Sequence, residues 1–76
     1  MTYLNKVQPG QQARIVGYTE DTPLSRRLTE LGLIPGRVVM HVRNAPLQDP
    51  MEIRVGSYNL SLRHAEASRV TVELAE

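Results

Sequence analysis

Few side chains in these 76 residues could do chemistry. Divalent transition metals accept imidazole and carboxylate, and no cysteine is present to offer thiolate. His41, His64, Asp49 and Glu52 are therefore one candidate ligand set, and Glu20 with Asp21 is a second, all-oxygen one. No pair among them stands at a ligand spacing on one element. Any metal they take is expected to be a weakly held divalent transition ion, and no firm cofactor is expected. The simplest place for His41 is the outer face of a strand, and for His64 the start of a helical turn.

Other reactive arrangements are missing from the pattern. Nucleophilic catalysis needs an activated nucleophile beside a base, whereas here the serines lie in no elbow motif and the two histidines are far apart in sequence. The acids Glu20, Asp21, Glu30, Asp49, Glu52 and Glu66 are spread over different elements, and a small core has little room to bury two and split their pKa values. The glycines punctuate turns and form no phosphate-cradling loop. The expectation is a protein that is not an enzyme.

The scaffold is organised around Glu20 to Arg37. Thr22 can cap a helix that Pro23 starts at its first position, where a missing N–H costs nothing. Leu24, Leu28 and Leu31 fall on one stripe, with Arg26, Arg27 and Glu30 on the wet side, and Gly32 ends the run. So short a helix is unstable alone, so its leucines must cover a sheet. Pro35-Gly36 fits the centre of a type II turn. Before this stretch, Leu4 is expected to tuck onto the core, and Gln12 to Tyr18 alternates as a first strand, in which Gly17 marks a bulge or a close approach by the helix. After it, Arg37 to Arg43 reads as a second strand with Val38, Met40 and Val42 inward. Met51 to Val55 and Tyr58 to Leu62 form a hairpin across Gly56-Ser57, with Tyr58, Leu60 and Leu62 inward. Arg63 to Ala67 is a single helical turn, and Ser68 to Leu74 is a last strand with Val70, Val72 and Leu74 on one face; Ala75-Glu76 is expected to fray. The sum is mostly β: a small five-stranded antiparallel barrel, one short helix inserted after the first strand and a helical turn before the last.

Length allows one domain with a small core. Nine basic and eight acidic side chains give a formal charge of +1 without a basic face, which argues against nucleic acid as a partner. There is no apolar h-region at the start and no run near the ~20 residues of a membrane span, so the chain reads as soluble, unexported and not inserted in a membrane.

The run Arg27-Leu28-Thr29-Glu30-Leu31-Gly32-Leu33-Ile34-Pro35-Gly36 resembles the R-L-x-E-L-G-L-x-P-G signature of the FeoA family, small cytosolic proteins of bacterial ferrous iron uptake. Gly10 to Ile15, Ala45 to Pro50 and Leu60 to Ala67 agree in order and distance, so the likeness covers nearly all of residues 1–76. The resemblance implies a barrel of the Src-homology-3 type, a cytoplasmic accessory role, and a partner in the cytosolic part of the FeoB permease, which would recruit the chain to the inner face of the membrane. The same domain resembles the C-terminal domain of metal-dependent repressors, where acids near the start of this helix lend an ancillary metal ligand; that likeness favours Asp21. The residues themselves point to protein binding, since Leu33, Ile34, Pro35, Ala45, Pro46, Leu47 and Pro50 put apolar side chains on loops, with Leu33 and Leu47 alternatively plugging the barrel ends. Arg26, Arg27 and Arg43 could rim such a patch. A metal-sensing or regulatory module and a nucleic-acid-binding barrel are the rival readings, and unpaired strand edges leave a weak homo-oligomer open.

Overall fold

The computed structural model of the chain describes residues 1–75. Its strands are β1 (Thr2–Tyr3), β2 (Gln12–Tyr18), β3 (Val38–Asn44), β4 (Met51–Val55), β5 (Tyr58–Leu62) and β6 (Val70–Ala75). A 3-10 turn (Leu4–Lys6) follows β1, α1 (Pro23–Glu30) follows β2, and α2 (His64–Ala67) precedes β6. All six strands join one antiparallel sheet in the order β1-β6-β2-β3-β4-β5.

Five strands were expected, and the sixth is β1, which pairs Thr2 with Val72 and Tyr3 with Thr71. Two residues are too few for an alternation to show in sequence. What holds β1 in place is the burial of Leu4 and Val7 directly after it. Ala75 pairs with Gln12 at the far end of β6, so it is not frayed; Glu76 lies outside the described residues.

Helix α1 begins as its sequence dictates. Thr22 Oγ1 accepts from Ser25 N at 3.2 Å and Ser25 Oγ accepts from Thr22 N at 2.9 Å, a reciprocal cap with Pro23 at the first turn. Its end is equally specified. Leu33 N bonds to Leu28 O at 3.0 Å and Gly32 N to Thr29 O at 3.0 Å, with Gly32 at φ 107°, the Schellman arrangement that glycine adopts without strain. Leu28 and Leu33 are both buried beneath this turn, Leu24 is half-buried, and Leu31 is 37% exposed, so the stripe is narrower than its spacing implies.

The face of β3 is opposite to the one expected. Val39 and His41 point into the core, opposite Val55 and Ile53, while Val38 is 38% exposed and Met40 lies opposite Arg54. Period two fixes only that alternate residues share a face, and counting apolar side chains put the three-member set inside. The core instead accepts an imidazole because that imidazole is hydrogen-bonded. A register shift between His41 and Arg43 then bends the strand. In β2 the shift between Ile15 and Gly17 leaves Val16 as the bulged residue, and a side chain at Gly17 would meet Thr71 Oγ1 at 3.8 Å, so Gly17 marks the bulge and not a helix contact. Tyr58, expected inward, is 42% exposed, and Leu74, expected on the same face as the buried Val70 and Val72, is 52% exposed.

Candidate functional site

The loop joining β3 to β4 is built by its own polar groups. Gln48 N bonds to Ala45 O at 2.7 Å, Ala45 N to Pro50 O at 2.9 Å, and Asn44 Nδ2 to Gln48 Oε1 at 3.1 Å. Gln48 takes a positive φ of 70° inside this frame. The result is a fixed tip that holds Leu47 91% exposed. A leucine that covers nothing in its own chain gains nothing from folding, so Leu47 plugs no barrel end. Beside it lies a cleft of about 490 Å³ lined by Arg43, Asn44, Ala45, Pro46, Pro50, Glu52 and Ser61. Its charged wall is ordered: Arg43 Nε donates to Glu52 Oε1 at 2.8 Å and Asn59 Nδ2 to Glu52 Oε2 at 2.6 Å. Arg43 first, and Asn59 second, hold the Glu52 carboxyl below the usual carboxylate range.

Behind the loop, two of the sequence-predicted metal ligands, His41 and His64, converge, but on the Asn44 amide. His41 is fully buried and not on an outer face; its Nδ1 lies 2.7 Å from Val7 O and its Nε2 3.0 Å from Asn44 Oδ1. His64 Nε2 approaches the same oxygen at 3.2 Å, and His64 N donates to Asp49 Oδ1 at 2.9 Å, at the start of α2. Asp49 also faces Arg63 at 3.5 Å. Both histidines therefore have ring partners in the protein, and they brace the loop through Asn44. Among the described residues, no group of three or more His, Cys, Asp or Glu is arranged to hold a metal. Glu20 and Asp21 pair with Arg69 at 2.9 Å and Arg26 at 3.2 Å, and both line a cleft of about 380 Å³ with Tyr18, Ser25 and Thr29.

The other expected docking residues divide. Leu33 is fully buried and faces no partner. Ile34 is 44% exposed and Pro35 is exposed, on a turn tied to β2 by Gly36 N to Ile15 O at 2.8 Å. Arg26 and Arg27 project from α1, Arg27 pairing with Glu66 at 2.7 Å. None of these lines the loop cleft.

One arrangement was invisible in the sequence. As the chain leaves α1, three consecutive carbonyls accept from side chains, two of them distant in sequence: Leu31 O from Tyr58 Oη, Gly32 O from Arg37 Nη1 at 3.5 Å, and Leu33 O from Tyr18 Oη at 2.5 Å. Leu31 O is an acceptor that the helix end leaves unpaired, and the other two lie on the turn just beyond it. Burial pushes the Tyr18 phenol above its ordinary value, with the Thr29 hydroxyl working against it.

A curled antiparallel sheet of this size, with one capped helix across it and a rigid apolar loop, is a small Src-homology-3-like domain. Residues 2–74 match the FeoA domain model, and the chain belongs to that family. It is 37% identical over 71 residues to an Fe(2+) transport protein A/Fe(2+) transporter FeoB fusion protein of Porphyromonas gingivalis, a match spanning 93% of this chain and 8% of the fusion. The FeoA protein of Chlorobium tepidum superposes with a TM-score of 0.90 at 31% identity, over 99% of this chain and 71% of that one. Stenotrophomonas maltophilia FeoA in complex with zinc, described as a procaryotic SH3 domain protein, superposes at 0.84 with 28% identity, over 96% and 91%. The manganese regulator SloR shares the fold alone, at 0.82 and 16% identity over 97% of this chain and 34% of the regulator. The name of the fusion ties a domain of this family to Fe(2+) transport.

Proposed function

We propose that this chain is a non-catalytic accessory module of ferrous iron uptake that docks on the cytosolic part of the FeoB permease. The observation that carries this reading is Leu47, an apolar side chain held 91% exposed on a hydrogen-bonded loop beside the Arg43–Glu52 cleft. Recognition sites commonly set an apolar anchor inside a polar rim, and Arg43, Glu52 and Ser61 form that rim here. The fusion in Porphyromonas gingivalis supports the choice of partner, since there a similar domain is covalently joined to FeoB. No helix among the described residues is long and apolar enough to cross a membrane.

The test is titration of this chain into the purified cytosolic region of its own organism's FeoB, followed by calorimetry. Leu47→Asp is expected to leave folding stability within about 0.5 kcal/mol, as for an exposed site, and to weaken binding at least about tenfold, as for a buried anchor. Equal binding by wild type and variant would remove the loop from the interface, and no binding by wild type would remove the reading.

A further inference from the structure

The sheet order leaves β5 at one end with no strand beyond it. Val55 and Tyr58 flank a two-residue turn and so form a hydrogen-bonded pair; by alternation Leu60 and Leu62 also bond to β4, and the N–H and C=O groups of Asn59 and Ser61 face away from the sheet. Among the described residues these outward groups have no backbone partner. Edge strands are usually blunted by proline, lysine or a bulge, and β5 has none of these. Tyr58, Asn59 and Ser61 are exposed along it.

Two arginines stand at the start of this edge. Arg54 Nε donates to Gly56 O at 3.3 Å, and Arg37 Nη2 lies 3.8 Å from where a Gly56 side chain would begin. Five other arginines of the chain are in ion pairs, but among the described residues neither Arg37 nor Arg54 is. Carboxylate is the group that two unpaired guanidiniums beside an open strand edge fit best, through charge-assisted bonds.

We propose that β5 accepts an extended acidic segment of a partner protein as a seventh strand, with main-chain bonds to Asn59 and Ser61 and a carboxylate on Arg54 and Arg37. This is the strand-addition mode, in which backbone bonds give affinity and side-chain contacts give choice. A second copy fits less well. Antiparallel pairing of two β5 strands would carry Arg37 and Arg54 of one copy toward Arg63 of the other, setting like charges together. The proposal rests on the docking reading above and names a second contact of the same partner.

The decisive variant is Ser61→Pro. Its N–H points outward, so proline removes one docking bond without costing a ladder bond. Two arms separate this inference from the permease reading. In the first, an extended peptide alternating valine and glutamate is titrated into the isotope-labelled chain. Amide exchange at Asn59 and Ser61 is expected to slow at least about tenfold, Ser61→Pro and Arg54→Glu are each expected to weaken binding by a similar factor, and a valine–lysine peptide is expected not to bind. In the second, the same variants are measured against the FeoB cytosolic region. Weakened permease binding by both supports the proposal. Unchanged permease binding by both, with loss in Leu47→Asp, keeps the loop interface and overturns the edge. Protection of Asn59 that rises with protein concentration alone overturns it in favour of a second copy.

Discussion

Tyr18 Oη donates to Leu33 O at 2.5 Å, so the last residue of β2 fastens the chain where it leaves α1. Replacement by phenylalanine keeps the ring and orphans that acceptor. The expected cost is about 1 kcal/mol in denaturant unfolding, as for one neutral hydrogen bond. A pH dependence accompanies it. The Tyr18 phenol titrates higher in the folded chain than in the unfolded one. Its contribution is therefore fully present at neutral pH and fades as the pH rises past the ordinary tyrosine value of about 10. Tyr18→Phe is expected to lose part of that alkaline fall.

Gly32 is fixed twice over, by conformation and by space. Its φ is 107°, and a β-carbon there would lie 2.7 Å from Tyr58 Oη, 3.0 Å from Arg37 Nη1 and 3.2 Å from Val55 Cγ1. Gly32→Ala is expected to destabilise by about 2 kcal/mol or more, combining positive-φ strain with overpacking. Tyr58→Ala in the same background is expected to recover only the part of the crowding that Tyr58 causes, which a double-mutant cycle in urea would read.

His41 shows its value as a donor when the donor is removed without changing bulk. His41→Leu keeps a side chain of similar size and leaves Val7 O and Asn44 with one partner fewer. A loss of about 1 to 3 kcal/mol is expected, the penalty for an unsatisfied buried group. Amide shifts spreading to Ala45 and Gln48 are expected too, because Asn44 holds that loop.

Glu52 reports on the cleft wall through its own titration. Arg43 and Asn59 bond its charged form, so its folded pKa lies below the unfolded one. The linked stability is present above the usual carboxylate range and is lost as pH falls through the folded value. In a carboxyl NMR titration, Arg43→Ala is expected to move Glu52 back toward the ordinary value; no movement would show that the ion pair does not persist in solution.

Local rules that act within a few residues were legible in the sequence. Thr22, Pro23 and Gly32 set both ends of α1, and Gly56-Ser57 set the hairpin, because caps and two-residue turns are specified by their own side chains. What failed depended on which groups the folded backbone brings together. His41 reads as polar until Val7 O and Asn44 are brought to it, and the parity of β3 was lost with it. Leu33 and Leu47 look alike as loop leucines, yet one lies under the turn ending α1 and the other stands on a tip made by Asn44, Ala45 and Gln48. Of the cleft residues, Pro46, Pro50 and Arg43 were already grouped as an apolar patch and its rim, whereas Glu52 was suspected as a metal ligand and only the fold joins it to them.

The fastening of Leu31, Gly32 and Leu33 bears on how relatives of this chain can diverge. The stretch by which the family is recognised is committed to backbone carpentry at a helix exit, with its glycine hemmed in by Tyr58 and Arg37. On the docking reading, partner choice is written elsewhere, on the loop tip built by Asn44, Ala45 and Gln48, which this carpentry does not constrain. Two proteins can thus carry the same motif intact and have drifted apart in whom they greet.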